Sequence, residues 1–237
     1  MSGHSKWSTI KRKKGKTDAE RAKIFTKVGR EIAVAVREGG NDPSSNGKLR
    51  DLIAKAKSLN VPNENIDRAI KKAGTDKADY EAIIYEGYGP SGVAVMVSCL
   101  TDNRNRTAGD LRHFFDKCGG NLGQSGSVGY LFTQRGVIVL EDEGHNEDAL
   151  MELCLEAGAE DFSPEDDVVE LYTAPAELSA AREKLDGMKK AIVSAEVSYI
   201  PSTWVKLDED NRLKMERLLE MLEDNDDVQD VYHNWEE

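Results

Sequence analysis

The chain is poor in the residues that build covalent or metal-held sites. It has three cysteines, Cys99, Cys118 and Cys154, and no pair is spaced as C-x-x-C. That excludes a disulfide framework and a four-cysteine zinc site, and it fits the reduced thiols of a cytosol, each a small buried hydrophobe. The four histidines form no H-E-x-x-H and do not pair with cysteine at zinc-finger spacing, so neither a metal nor a cofactor is expected. Long hydrophobic runs are also missing. The longest, 32–36 and 93–97, fall far short of the roughly 20 residues of a spanning helix, and the start carries no apolar stretch of the secretory kind. A cytoplasmic protein without a membrane partner is expected. Aromatic residues make up 6%.

Two nucleotide or ion motifs fail on inspection. Gly15-Lys16-Thr17 ends like a phosphate loop, but Ile10 stands where its first glycine belongs and a basic run precedes it. A calcium loop begun at Asp224 puts Gln229 at the glycine position and Trp235 at the bidentate carboxylate. No Ser–His–Asp or Cys–His set can be read, and the chain is not expected to be an enzyme.

What the chain does have is charge, unevenly spread. Of 237 residues, 32 are Lys or Arg and 44 Asp or Glu, a net of −12, with a mean hydropathy of −0.57. Residues 1–77 hold 19 basic and 9 acidic groups, net +10; the remainder is −22. A basic head on an acidic body points to a polyanion as partner of the head. Basic density peaks in His4, Lys6, Trp7, Lys11, Arg12, Lys13, Lys14, Lys16, Arg21, Lys23, Lys27 and Arg30. Cations there neutralise phosphates, while an aromatic ring among them can stack on a base. Residues 1–16 show no helical or strand period and read as an arm.

Periodicity then predicts helices at 18–38, 48–59 and from Glu64, with Ile24, Phe25, Val28, Ile32, Ala35 and Val36 as the apolar stripe of the first and a capping box at Thr17 and Glu20. After Tyr80 the period becomes two. Strands are predicted at 82–87, 93–100 and 128–133, with a helix at 107–118 between the last two. A strand–helix–strand–strand–helix–strand series follows, with strands at 137–141, 160–163, 168–173 and 191–200, which is the ferredoxin-like pattern. A final helix and strand close the chain. The fold class is therefore α+β multidomain: a basic helical domain at 1–77 and two ferredoxin-like α+β domains, a discontinuous one at 80–134 plus 205–237 and an inserted βαββαβ one at 135–204.

Three further stretches invite function. Asp102-Asn103-Arg104-Asn105-Arg106-Thr107 sets two arginines between a strand end and a helix start, either to contact phosphates and bases or as an ordinary turn and cap. Residues 119–127 are glycine-rich but follow a helix, whereas phosphate loops precede one; they read as a helix stop and connector or as a backbone surface for a nucleic-acid strand. Tyr199-Ile200-Pro201-Ser202-Thr203 reads either as an exposed functional loop or as a crossover between domains.

Several segments together resemble the YebC family, which includes the mitochondrial translational activator of cytochrome c oxidase. They are Gly3-His4-Ser5-Lys6-Trp7, Lys23-Ile24-Phe25-Thr26-Lys27, Tyr85-Glu86-Gly87-Tyr88-Gly89-Pro90, 102–107, 117–123, 195–203 and the stretch from Leu222 to Asn234. The resemblance spans essentially the whole chain. It implies a three-domain architecture, no enzymatic activity and no catalytic residue to transfer. It also implies a regulator of gene expression, described either as DNA-binding in transcription or as a translation factor that relieves ribosome stalling at proline-rich stretches. The helix pair 48–59 and 64–73 could form a helix-turn-helix, but Glu64 and Asp67 would face phosphates. The expected partner is therefore nucleic acid, with ribosomal RNA ahead of DNA, bound by a monomer through residues 4–30, Arg104 and Arg106.

Overall fold

The computed structural model describes residues 18–74, 79–141, 144, 146–165 and 167–236. The first helix, α1 (Asp18–Gly39), is followed by α2 (Gly47–Ser58) and α3 (Asn63–Ala73). The apolar stripe of α1 buries Val28, Ile32, Ala35 and Val36 against Leu49, Ala56, Val61 and Ile66. Fully burying each large side chain contributes about 1.5–3 kcal/mol. Asn46 locks the α1–α2 corner. Its Oδ1 accepts from Leu49 N at 3.1 Å, while its Nδ2 donates to Ala35 O and Gly40 O, both at 2.8 Å. The capping box expected at Thr17 and Glu20 lies outside the described residues.

Strands β1 (Glu81–Tyr88) and β2 (Ala94–Thr101) form an antiparallel hairpin across the 3₁₀ turn Pro90–Gly92. Then come α4 (Arg104–Lys117), β3 (Asn121–Leu122), β4 (Phe132–Glu141), α5 (Glu147–Ala157), β5 (Asp161–Glu165), β6 (Val168–Thr173), α6 (Leu178–Gly187), β7 (Ile192–Pro201), α7 (Glu209–Asp224) and β8 (Val228–His233). Two four-stranded sheets result, in the orders β3-β1-β2-β8 and β5-β6-β4-β7. The second is the ferredoxin-like order; the first, with the hairpin strands β1 and β2 at its centre, is not, although both domains were expected to be ferredoxin-like. In the first sheet, Val93, Val95, Val97 and Cys99 pack under Leu111, Phe115 and Cys118 of the α4 segment and Met215, Leu218 and Leu222 of α7. In the second, Ile138, Leu140, Val169 and Leu171 pack under α5 and α6, with Cys154 in that core. The chain is thus α+β and multidomain. Of the described residues, 133–200 form one compact unit, and those up to 132 together with those from 201 form another.

The strand expected at 128–133 is not there. Residues 129–131 form a 3₁₀ turn, and the strand pairing with β1 is the two-residue β3. Two residues are too few to carry a period. The strand expected at 137 begins instead at Phe132 and runs through Gly136. That glycine is no turn signal: a Cβ on it would collide with the Thr173 hydroxyl and press on Leu178 at 3.0 Å. Helix α4 also starts earlier than the apolar stripe indicates, at Arg104, because Asn103 caps it by accepting from Arg106 N at 3.1 Å.

Candidate nucleic-acid interface

Positions 23, 27 and 30 share one face of α1, since residues four and three apart are neighbours on a helix. That face meets the acidic C-terminal end of α7. Lys23 Nζ pairs with Asp224 at 2.8 Å, and Lys27 Nζ donates to Glu223 O at 2.6 Å. Arg30 donates to Asp226 O at 2.8 Å and to Asp227 Oδ1 at 2.7 Å, with its guanidinium 5.5 Å from the Tyr80 ring centre. These cations meet the orphan carbonyls and negative dipole end of a helix as well as its carboxylates.

Asp227 is the hub. It is 3% exposed and also accepts from Arg106 Nη2 at 2.9 Å, Thr107 Oγ1 at 2.8 Å and Thr101 Oγ1 at 3.2 Å. Burial works against its charge, but the hydrogen bonds from Arg106, Arg30 and Thr107 outweigh burial and hold the carboxyl below its ordinary range. Nearby, burial together with the charge of Asp227 pushes the Cys99 thiol up to about 12. All three cysteines are buried thiols. A second knot joins α2 to β8. Lys55 lies 3.0 Å from Glu31 and 3.7 Å from Asp230; burial opposes its charge, and the two carboxylates more than restore it.

The expected site residues are therefore divided. His4, Lys6, Trp7, Lys11, Arg12, Lys13, Lys14 and Lys16 lie outside the described residues, and the Arg21 side chain is not described. Lys23, Lys27, Arg30 and Arg106 gather around 223–227 and face carboxylates or carbonyls of the same chain. Arg104 stays exposed in the first turn of α4, 3.2 Å from Glu81. Arg104 and Arg106 thus sit on a helix, not in the loop expected for them, and Arg106, though nearly half exposed, is held by Asp227 and by Asp102 at 2.8 Å. Exposed cations of the helical region also include Lys48, Arg50 and Lys57 of α2 and Arg68, Lys71 and Lys72 of α3. None of these was among the site residues taken from the basic peak. The signal for the three on α3 was its polar face, opposite Ile66, Ala69 and Ile70.

Two of the loop expectations change. Tyr199, Ile200 and Pro201 belong to β7, and Ile200 packs against the buried Val137, Val139 and Val168. Only Ser202 and Thr203 are exposed, and Ser202 is tied down by its N–H and hydroxyl, which donate to Leu131 O at 2.8 and 3.0 Å. The stretch is an ordered strand end rather than a reaching loop. In the glycine-rich stretch, the N–H groups of Gly126, Val128 and Gly129 all donate to the Glu86 carboxylate at 2.7 Å. Burial raises the pKa of Glu86, and those three donors lower it by more. The backbone donors that would cradle a phosphate already hold a carboxylate of the chain itself.

No group of three metal-ligating side chains occurs among the described residues, and no described helix is long and apolar enough to cross a membrane.

Comparison with known proteins adds the lineage. Residues 5–76 match a family model described as the TACO1/YebC protein N-terminal domain, and residues 80–235 match the TACO1/YebC second and third domain. A protein of Ruminiclostridium cellulolyticum called "Probable transcriptional regulatory protein" is 59% identical over 100% of this chain and 97% of its own. One of Pelotomaculum thermopropionicum with the same name is 56% identical, over 100% and 99%. The crystal structure of a conserved hypothetical protein from Aquifex aeolicus superposes with a TM-score of 0.83 at 45% identity, covering 99% of this chain and 94% of that one.

Proposed function

The chain belongs to the TACO1/YebC family, and on that premise we propose that it is a nucleic-acid-binding regulator of gene expression that works without catalysis. The observation that carries the reading is the segregation of charge: +10 on residues 1–77 against −22 on the rest. A polyanion is attracted to one end of such a molecule and repelled by the other, which orients it. Contacts come from the basic residues 4–16 together with the outward cations of α2 and α3, while Arg104 supplies a lateral contact.

The name that the relatives carry supports action in transcription, with DNA as partner. This reverses the order of the two readings drawn from residues alone. The second reading, a ribosome-associated factor that binds RNA and relieves stalling at proline-rich stretches, is favoured by one observation. The first turns of α3 present Glu64 and Asp67, both exposed, where a groove-reading helix would meet phosphates. Crosslinking in living cells separates them. Recovery of discrete chromosomal sites without ribosomal RNA supports transcription; enrichment of one ribosomal RNA region supports the ribosome. Recovery of neither overturns the nucleic-acid reading.

A further inference from the structure

Helix α5 carries more apolar residues than its core needs. Leu150, Leu153, Cys154 and Ala157 face inward and are buried. Met151 and Leu155, one turn apart on the opposite face, stay 50% and 70% exposed. Single exposed hydrophobes are ordinary on a protein surface. A neighbouring pair on one helix face is a small apolar ridge, and exposed apolar surface rimmed by charge is where another chain can dock.

The flanking charge selects the occupant. Glu147, Asp148, Glu152 and Glu156 are exposed on the same helix, which has no basic residue. Among the described residues none of these four carboxylates is held in an ion pair. Lys184 stands at the C-terminal end of the helix, with Nζ 3.0 Å from where a Cβ on Gly158 would lie. A second copy docking through the same face would oppose carboxylate to carboxylate. Nucleic acid and anionic lipid are repelled. We infer that the outer face of α5 is a docking surface for a lysine- and arginine-rich protein segment with apolar side chains, which sets leucine-sized groups against Met151 and Leu155 and its cations against the four carboxylates. The proposal does not rest on the nucleic-acid reading.

The test uses the full-length, isotope-labelled protein and two synthetic probes of equal charge, a helical lysine–leucine peptide and a lysine–glycine peptide. The first should shift backbone resonances of 147–158 saturably and bind about tenfold more tightly than the second. The double change Met151→Ser and Leu155→Ser, both on the surface, should remove that advantage while leaving the fold intact. Glu152→Gln with Glu156→Gln should weaken binding and flatten its salt dependence. Equal binding of the two peptides, shifts centred elsewhere, or affinity unchanged in the serine variant would overturn the proposal. So would resonance changes at 147–158 on concentrating the protein alone, because they identify the face as a self-contact.

Discussion

At Asp227 one carboxylate collects two guanidinium groups and two hydroxyls. Replacing it with Ala leaves Arg30 without its carboxylate and Arg106 with the exposed Asp102 as its remaining counter-charge, and breaking a buried pair costs about 3–5 kcal/mol. Because Arg106 is nearly half exposed, the lower end is expected. Urea unfolding measures it. The pH dependence has a definite sign. The folded-state pKa of Asp227 lies below the ordinary value, so its contribution is complete above about pH 4 and disappears as pH falls through the lower folded value. An Asp227→Asn variant should therefore be less stable at neutral pH and lose less on acidification than the parent. Equal acid sensitivity of the two proteins contradicts the hub. None of this was legible in the sequence. Arg30 and Asp227 are 197 positions apart, and Arg30 read as a phosphate contact while Asp227 read as part of an acidic, solvated face.

Elements were legible where a period was long. Ile24 to Val36 repeat at helical spacing, and α1 runs Asp18–Gly39 where 18–38 was expected. Val168–Thr173 forms the expected strand. Elements failed where tertiary contacts overrode local signals. Gly136 lies inside β4, where it permits close approach to Thr173, and β3 is held by β1 rather than by its own two residues. At the α1–α2 corner Asn46 supplies the helix cap and two further hydrogen bonds, one buried and one partly buried. Asn46→Ala should cost about 2 kcal/mol or more, because buried carbonyls lose their donor as well as the helix its cap. Thermal unfolding, with helix content followed by circular dichroism, tests this. Gly120→Ala should also destabilise, by about 1–3 kcal/mol, because a Cβ there drives into the Tyr88 carbonyl and presses on Gly89 Cα at 3.0 Å.

For the molecule as a whole, charge asymmetry was legible but its use was not. Part of the head's positive charge is satisfied within the chain, by 223–227 and by Asp230. The two classes of cation should separate in experiment. Arg68→Ala with Lys71→Ala should leave stability unchanged and reduce the salt slope of nucleic-acid binding by about one for each phosphate no longer neutralised. Lys23→Ala with Arg30→Ala should instead lower stability. A fall in stability in the first variant, or an unchanged salt slope, contradicts the division. The antiparallel sheets under paired helices could be anticipated from the order of periods, whereas the pairing of Arg106 with Asp227 could not, because it follows from where β8 begins.

Each of the two sheet cores carries its own chemical clock. Cys99 and Cys118 lie in one and Cys154 in the other, and a thiol so enclosed meets an alkylating reagent only while its surroundings are open. Labelling the unaltered protein and weighing its peptides over time should therefore yield two separate opening rates, one per core, with no reporter introduced.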